Sequence, residues 1–248
     1  MLTSNKVVST AALALALLPA IGAHAQQTIT IGTPSRGDNS FPFGVVRPTD
    51  PTDYAAGGEF QEIYSSTDFN SAVPLNISAI SFASSSRFNG APVSATYNVT
   101  IGLSNTSATV GLFSNASTNF AANKGANFTT VFSGSITANL KGNNTFDLTF
   151  PTAPFLFNPN QGNLLFDVVI NRTTQGTGFA EFLETDGYNT PRVFQSFGSG
   201  PASTDFFGLY TQFTATPAPV PEASTTGSLG LLLVLGAGAV VFRRKRRA

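Results

Sequence analysis

An alternation of apolar and polar residues constrains this chain more than any other feature of its sequence. Residues 97–103 read Tyr-Asn-Val-Thr-Ile-Gly-Leu, and residues 146–150 read Phe-Asp-Leu-Thr-Phe. Because successive side chains of a strand point to opposite faces, a period of two predicts antiparallel strands with one buried face. Residues 163–170 read Asn-Leu-Leu-Phe-Asp-Val-Val-Ile, with apolar side chains at both odd and even positions around Asp167. Apolar side chains on both faces predict a central strand covered on both sides.

Turn-forming sequences separate these runs, for example at residues 89–90, 141–143 and 186–187. About ten short candidate strands, the last over residues 206–213, together with the lack of helical periodicity, predict an all-β fold. We expect an antiparallel β-sandwich of jelly-roll type. In residues 75–82 the apolar side chains change from odd to even positions between Ala79 and Ile80, which predicts a bulge or a bend of the strand there. Residues 111–126 are compatible with a short helix or with a long loop.

Composition excludes several classes of function. The chain has no cysteine and no tryptophan, and its one histidine is His24. A body without cysteine or histidine has no disulfide framework, no Cys-His or Ser-His-Asp catalysis and few transition-metal ligands, so we predict no cofactor and no metal site. Residues 26–220 contain no cluster of Lys and Arg, which argues against a nucleic-acid partner. Only 10% of the residues are charged, so neutral hydroxyls and amides must cover the surface.

The N-terminal 25 residues have the features of a secretory signal peptide. Lys6 is followed by an apolar run over residues 7–18, and the segment closes with Ala23-His24-Ala25. Small residues at both positions before the cut predict cleavage by signal peptidase after Ala25, so that the mature chain begins at Gln26. A buried N-terminal helix is the alternative interpretation.

The C-terminal segment predicts a membrane anchor. Residues 217–222 form a Pro-rich linker, residues 229–242 are apolar, and a helix starting at Ala223 and ending at Phe242 would span ~30 Å, enough to cross a bilayer. A basic tail follows, which should stay on the cytoplasmic side and so place the body, residues 26–216, on the opposite side of the inner membrane. The tail consists of Arg243, Arg244, Lys245, Arg246 and Arg247.

Residues 220–247 resemble the PEP-CTERM sorting signal, which combines a Val-Pro-Glu-Pro-like motif, a short transmembrane helix and an Arg-rich end. The motif here is Val220, Pro221, Glu222 and Ala223, with Ala223 in place of the usual second proline. The resemblance implies processing by exosortase, a membrane-embedded protease, in Gram-negative bacteria that make extracellular polysaccharide. A plain tail anchor is the alternative. A similar segment is also described as the ice-binding protein C-terminal domain, a name that implies no activity for the body.

The body also resembles ectodomains carried by PEP-CTERM proteins. In those proteins a late Phe-x-Pro-x-x-Gly-Asn-Leu-Leu segment leads into a central strand, and residues 157–165 have a similar sequence. The likeness brings no catalytic residues with it.

Several carboxylates are candidates for chemistry. Residues 50–53 and 184–189 are rich in oxygen ligands, but neither matches a calcium-binding loop, so we favour ordinary Asx turns over a calcium site. The pairs Glu59–Glu62 and Glu181–Glu184 could be imagined as the acid and base of a glycosidase. Residues three apart on a strand point to opposite faces, so we expect no enzymatic role. Asp167 is the one carboxylate expected to be buried, with a structural, hydrogen-bonded role.

Three further motifs are weak. Seven Asn-x-Ser/Thr triplets reflect the abundance of these residues, although glycans are an alternative. Residues 36–38 spell Arg-Gly-Asp, which we interpret as a turn. Residues 28–31 have the Thr-Ile-Thr-Ile sequence of an ice-binding strand, but a single strand makes no array. The triplets begin at Asn76, Asn98, Asn105, Asn115, Asn127, Asn143 and Asn171.

These observations favour an exported, non-enzymatic protein of the cell surface or extracellular matrix. We expect it to be anchored in the inner membrane before processing, to be sorted through its PEP-CTERM-like signal, and to associate with extracellular polysaccharide. The alternative is a carbohydrate-binding module with a defined sugar site. Such modules commonly stack sugars on exposed Trp or Tyr, and this chain has no Trp and five Tyr, so the alternative is weaker.

Overall fold

The computed structural model describes residues 25–35, 41–44, 58–85, 92–111, 114–175, 180–185, 189–195 and 201–219. Ten strands account for most of them, and the expectation of an all-β fold is confirmed. The strands are β1 (Gln27–Ile31), β2 (Gly58–Tyr64), β3 (Leu75–Ala83), β4 (Val93–Thr106), β5 (Thr129–Leu140), β6 (Phe146–Phe157), β7 (Asn163–Gln175), β8 (Arg192–Gln195), β9 (Ala202–Asp205) and β10 (Thr211–Pro217).

The strands form two antiparallel sheets. A four-stranded sheet has the order β1-β10-β3-β6, and a six-stranded sheet has the order β5-β4-β7-β2-β8-β9. β7 lies between β4 and β2, as expected for the central strand over residues 163–170. The strand expected at residues 206–213 is shifted: β10 begins at Thr211, because Phe207 and Leu209 make only isolated bridges.

Phenylalanine fills the space between the sheets. Phe43 is fully buried, and its ring contacts four other aromatic rings, including Phe82 on β3 and Tyr97 on β4. The Tyr97 hydroxyl donates a hydrogen bond of 2.8 Å to the Phe43 carbonyl, so the one polar atom of this ring is satisfied in the core. Aromatic side chains therefore fill much of the core of this chain, which has no cysteine.

β3 contains the predicted irregularity. Its register against β6 shifts between Ile77 and Ala79, and its register against β10 shifts at the same place. Leu75 and Ile77 are buried before the shift, and Ile80 and Phe82 are buried after it. The extra residue allows Leu75 and Ile77, at odd positions, and Ile80 and Phe82, at even positions, to face the same core.

The connection between β4 and β5, residues 107–128, covers part of the outer face of the six-stranded sheet. It contains one four-residue helix, α1 (Phe120–Asn123), so the segment is a long loop with a short helix in it. Ala108 packs with Ile63 and Leu165 on the outer side of β2 and β7. A β-carbon on Gly102 would lie 2.2 Å from the Phe128 ring, so glycine allows this ring to lie directly on β4.

The first and last strands begin and end at one end of the sandwich, which we call the terminal pole. Gln27 pairs with Ala215 in the antiparallel β1–β10 ladder. The backbone amide of Ala218 donates a 2.8 Å hydrogen bond to the carbonyl of Pro74, so ordered pairing continues past the boundary expected at residue 216. Chain segments before Gln27 and after Ala218 therefore leave the body close together.

None of the helices formed by the described residues is both long and apolar enough to span a membrane.

Candidate functional sites

Asp167 is buried on the outer face of the six-stranded sheet, beneath the β4–β5 connection. Its carboxylate accepts a 2.6 Å hydrogen bond from Gln61 Nε2 and lies 3.1 Å from Lys124 Nζ. Burial raises the pKa of Asp167 to about 6, although the Gln61 hydrogen bond and the Lys124 charge act in the opposite direction. The expectation of a buried, hydrogen-bonded Asp167 is confirmed.

The partners of Asp167 hold the β4–β5 connection against the six-stranded sheet. Lys124 also lies 2.9 Å from a carboxylate oxygen of Glu59. Gln61 is fully buried, donates to the carbonyl of Phe120 at 3.0 Å and accepts from Asn123 Nδ2 at 2.8 Å. Each of these contacts joins β2 or β7 to residues 120–124. The cluster therefore has a structural role, which is to hold the β4–β5 connection in place.

Glu62 is a second buried carboxylate, so the expectation that Asp167 is the one buried carboxylate is wrong. It lies on the inner face of β2 between Phe60 and Tyr64, and it is fully buried. Burial raises the pKa of Glu62 to about 7, against the hydrogen bonds from Tyr64 and from the backbone of Leu209. The alternation that predicts strands also places residue 62 on the same face as Phe60 and Tyr64. This pattern in the sequence could have predicted that Glu62 is buried.

The contacts of Glu62 favour the protonated acid. Three contacts form a chain that starts at Glu62. Glu62 Oε2 lies within hydrogen-bond distance of the Tyr64 hydroxyl, and that hydroxyl lies 3.0 Å from Thr211 Oγ1. Thr211 Oγ1 in turn lies 2.9 Å from the Leu209 carbonyl oxygen. Tyr64 and Thr211 supply only two hydrogens for these three contacts. A protonated Glu62 supplies the third, while its other oxygen accepts from the Leu209 amide at 2.7 Å.

Arg192 and Asp205 form an ion pair near Glu62. Both guanidinium–carboxylate contacts are present, and Arg192 Nη2 lies 2.9 Å from Asp205 Oδ2. The pair joins β8 to β9, and the guanidinium also lies 5.2 Å from the centre of the Phe194 ring. The Arg192 charge lowers the pKa of Glu62 and the Asp205 charge raises it, so the two members of the pair act on Glu62 in opposite directions.

The fold separates one of the two carboxylate pairs considered for a glycosidase and buries both members of the other. Glu62 lies on the inner face of β2 and Glu59 on the outer face, as the three-residue spacing requires. Glu181 and Glu184 are both buried in the segment 180–185, which bridges to Ser84 and Leu209. The described residues contain no group of three or more His, Cys, Asp or Glu side chains suited to a metal ion. Residues 50–53 and 186–188 lie outside the described residues.

The Asn-x-Ser/Thr triplets lie in different environments. Asn105 is buried, and its amide donates to the carbonyl of Asn158 at 2.8 Å, so it is unsuited to a glycan. Asn98 on β4, Asn115, Asn127, Asn143 and Asn171 are exposed, and Asn76 on β3 is half-buried.

Other residues named from the sequence are described in part. Ala25 and Gln26 are exposed ahead of β1, whereas Ala23 lies outside the described residues, as does the Arg-Gly-Asp triplet at 36–38. The motif Val220, Pro221, Glu222 and Ala223, the segment 229–242 and the basic residues of 243–247 also lie outside them.

The outer face of the four-stranded sheet carries hydroxyls and amides, and we call it the hydroxyl face. Register places Thr30 beside Gln212 and Thr28 beside Thr214. On the other side of β10, Gln212 lies beside Ser81, and Ser81 lies beside Thr149 on β6. Thr28 and Thr30 therefore lie on the outer face of the four-stranded sheet, at its edge. The hydroxyl face consists of Thr28, Thr30, Asn76, Ser81, Thr149, Gln212, Thr214 and Thr216.

A second polar ladder runs along the outer faces of β4 and β5. Ser94, Thr96, Asn98 and Thr100 pair directly with Asn139, Thr137, Ser135 and Ser133. The hydroxyls of Thr96 and Thr137 lie 2.8 Å apart, and those of Thr100 and Ser133 lie 3.3 Å apart, so these groups are largely satisfied by each other.

Comparison of the chain with protein-family models, with curated proteins and with solved structures gives no match in any of the three. The geometry of the described residues therefore carries the functional argument.

Proposed function

We propose that this protein is exported and sorted to the cell surface through its PEP-CTERM-like signal, and that it associates there, without catalysis, with extracellular polysaccharide. The observation that supports this most is the placement of charge. Glu62, Asp167, Glu181 and Glu184 are buried, while the outer face of the four-stranded sheet and the outer faces of β4 and β5 are lined largely with neutral hydroxyls and amides. A surface that offers many neutral donors and acceptors is complementary to a hydrated polymer of hydroxyl groups.

The strand order supports the finer expectation of a jelly roll. Without β8 and β9, one sheet holds the first, third, sixth and last strands, and the other holds the second, fourth, fifth and seventh. This is the distribution of a chain that folds as two interleaved Greek keys, with β8 and β9 added beside β2.

The sorting proposal rests on residues 1–25 and 220–247, and the terminal pole is compatible with it because both segments would leave the body side by side. The test is to produce the full chain in an exosortase-bearing bacterium and in the same strain without exosortase. We expect a shorter product outside the inner membrane only in the first strain. Glu222→Ala should behave like loss of exosortase, whereas Glu59→Ala should not. A full-length chain in the cytosol with an intact N terminus would refute the proposal.

Association with polysaccharide is tested by affinity electrophoresis of the full chain in mild detergent, in gels that contain dextran, galactomannan or alginate. Retardation by at least one polymer, without its hydrolysis, is expected. Migration unchanged by every polymer, or polymer cleavage, would overturn the proposal.

The alternative of a carbohydrate-binding module with a stacking groove receives less support. Tyr64 and Tyr97 are fully buried, so neither ring is available to a sugar, and Tyr210 is half-buried against Phe146. Tight, selective binding of one oligosaccharide on a glycan array would favour that alternative.

A further inference from the structure

Three ionisable side chains converge beneath the β4–β5 connection. Glu59 and Asp167 lie on the outer faces of β2 and β7, and Lys124 Nζ lies 2.9 Å from Glu59 Oε1 and 3.1 Å from Asp167 Oδ2. The three groups are an amine, a buried carboxyl and a second carboxylate in contact with the amine. Condensation of an amine with a carboxylic acid needs a nucleophile, an electrophile and a group that carries protons between them, and these side chains supply one of each.

Asp167 is suited to be the electrophile, because an amine attacks a neutral carboxylic acid and not a carboxylate. Its side chain is 3% exposed, and burial raises the pKa of Asp167 to about 6 although Lys124 lies beside it. A hydrogen bond with Glu59 and the charge of Glu59 also raise this pKa. The neutral acid is therefore easier to form at Asp167 than at a carboxyl in water.

Lys124 is suited to be the nucleophile once it has lost a proton. Burial lowers the pKa of Lys124, but its contacts with Glu59 and Asp167 raise it by more, so the ion pair is the resting form. Glu59 Oε1 accepts a hydrogen bond of 2.9 Å from Nζ and is placed to take the proton. The neutral amine is the minor form, which makes the reaction slow, but a reaction that each chain undergoes once needs no turnover.

Neighbouring residues hold the reacting carboxyl in place. Gln61, the β2 partner of Asp167, donates from Nε2 to Asp167 Oδ2 at 2.6 Å and is itself held by Asn123 at 2.8 Å. The β4 partner of Asp167 is Gly102, which leaves room for the Phe128 ring, and the centre of that ring lies 4.6 Å from the lysine Nζ.

This arrangement favours attack over the reverse reaction with water. The Gln61 donor stabilises the negative charge that develops on the carboxyl oxygen during attack. Well-oriented intramolecular groups reach effective concentrations of roughly 10⁵–10⁸ M, which favours the amide over its hydrolysis.

We propose that Lys124 and Asp167 become joined by an intramolecular amide bond, with Glu59 carrying the protons. The Nζ–Cγ bond forms, one Cγ–Oδ bond breaks, and the leaving oxygen departs as water. Of the three hydrogens on the charged amine, one stays on the amide nitrogen and two leave with the water, while Glu59 ends as it began. The step needs no oxidant, reductant or cofactor, and it is independent of polysaccharide association.

The bond ties the β4–β5 connection to the central strand of the six-stranded sheet. It closes residues 124–167, which contain β5 and β6, into a covalent loop. Such a cross-link restricts the unfolded chain as a disulfide does, and this chain has no cysteine. The ion pair is the state before reaction, and its contribution to stability is that of the chain in which the bond has not yet formed.

The test is the intact mass of the full chain, measured under denaturing conditions that remove every non-covalent contact. Relative to its sequence, the wild type should be lighter by one water than Lys124→Arg, whose guanidinium keeps the charge but does not form the amide. The comparison cancels any modification that the two chains share. Lys141→Arg, in the exposed turn between β5 and β6, is the matched control and should keep the loss of water.

Tryptic peptides locate the bond. Residues 88–141 should be recovered joined to residues 142–172, because trypsin does not cut after an amidated Lys124. An uncut linear peptide over the same residues has the same mass, so the fragment ions must come from two N termini, at residues 88 and 142.

Glu59→Gln tests the proton carrier. It keeps Lys124 and Asp167, and we expect most of its chains to retain the water. Far-UV circular dichroism melts establish that each variant folds, and the mass and fragment ions of the wild type decide the existence of the bond even where a variant does not. A wild-type mass without loss of water, or a loss that persists in Lys124→Arg, would overturn the inference. Complete loss of water in folded Glu59→Gln would overturn the role of Glu59.

Discussion

Glu62 and Asp167 lie on opposite faces of one sheet, on neighbouring strands, and both are buried by different means. Asp167 is covered by a loop that brings Lys124 within 3.1 Å of it, so a cation accompanies its charge. Glu62 is covered by the opposite sheet, and its contacts are a phenol and a backbone amide. The comparison teaches that burial raises the pKa of both carboxylates, to about 6 for Asp167 beside a lysine and to about 7 for Glu62 in the core.

Removal of the Glu62 side chain should have the largest effect. Glu62→Ala leaves the Leu209 amide and the Tyr64 hydroxyl without this partner and opens a cavity, so we expect the free energy of unfolding to fall by about 3–4 kcal/mol. The measurement is urea unfolding followed by far-UV circular dichroism, because the chain has no tryptophan. Glu59→Ala, on the outer face, should cost about 1 kcal/mol or less. Equal losses for the two would contradict the distinction between the faces.

The pH dependence of stability follows next. The folded pKa of Glu62 is about 7 and its ordinary value is 4.5, so the unfolded chain releases this proton first as the pH rises. Stability from this group is complete below pH 4.5 and is lost progressively up to pH 7, by up to about 3 kcal/mol. The pKa of Asp167 is raised in the same way, so its contribution to stability is lost as the pH rises from 3.8 to about 6. The difference in unfolding free energy between Glu62→Gln and the wild type should therefore increase from pH 4 to pH 8. A difference independent of pH would show that the fold does not raise the pKa of Glu62.

Neutralising Lys124 tests the other half of the comparison. Lys124→Gln removes the cation shared by Glu59 and Asp167, and we expect a loss of about 1–2 kcal/mol, reduced from the value for a fully buried pair because Lys124 is 26% exposed. The loss should shrink at low pH as Asp167 takes up a proton. Lys141→Gln, in the exposed turn between β5 and β6, is the control and should change stability by less than about 0.5 kcal/mol.

Tyr64→Phe should have the smallest effect. It removes the hydroxyl between Glu62 and Thr211 but keeps the ring against Phe213, so we expect a loss of about 1 kcal/mol. The pKa of Glu62 should rise further, because Tyr64 donates to the ionised form. Carbonyl infrared spectroscopy of the buried acid would report this, and a lowered pKa would contradict the direction of the hydrogen bond.

Alternation predicted the all-β fold, the central strand β7 and the bulge in β3, because apolar residues mark a buried face directly. It underestimated strand length: β5 spans Thr129–Leu140, and its outward residues are Thr, Ser and Asn, which resemble loop sequence. It also misplaced the last strand, because Phe207 and Leu209 are apolar but make only isolated bridges.

The candidate sites were less predictable than the fold. Asp167 was found because it interrupts an apolar run, whereas the burial of Glu62 is marked only by its alternation with Phe60 and Tyr64 in Gly58–Tyr64. The hydroxyl face depends on pairing between β1, β10, β3 and β6, whose sequence separations run from tens of residues to more than a hundred and eighty. Local patterns contain no information about which distant strands become neighbours.

The position of β10 has a mechanical consequence. This strand is bonded to β1 on one side and β3 on the other, and its last residues point out of the terminal pole. When a load on the body is resisted at the C terminus, the force runs along the strand axis and is shared by both ladders at once. The strand is then sheared as a unit instead of being unzipped one bond at a time, so the ladders resist a pull along the strand axis together.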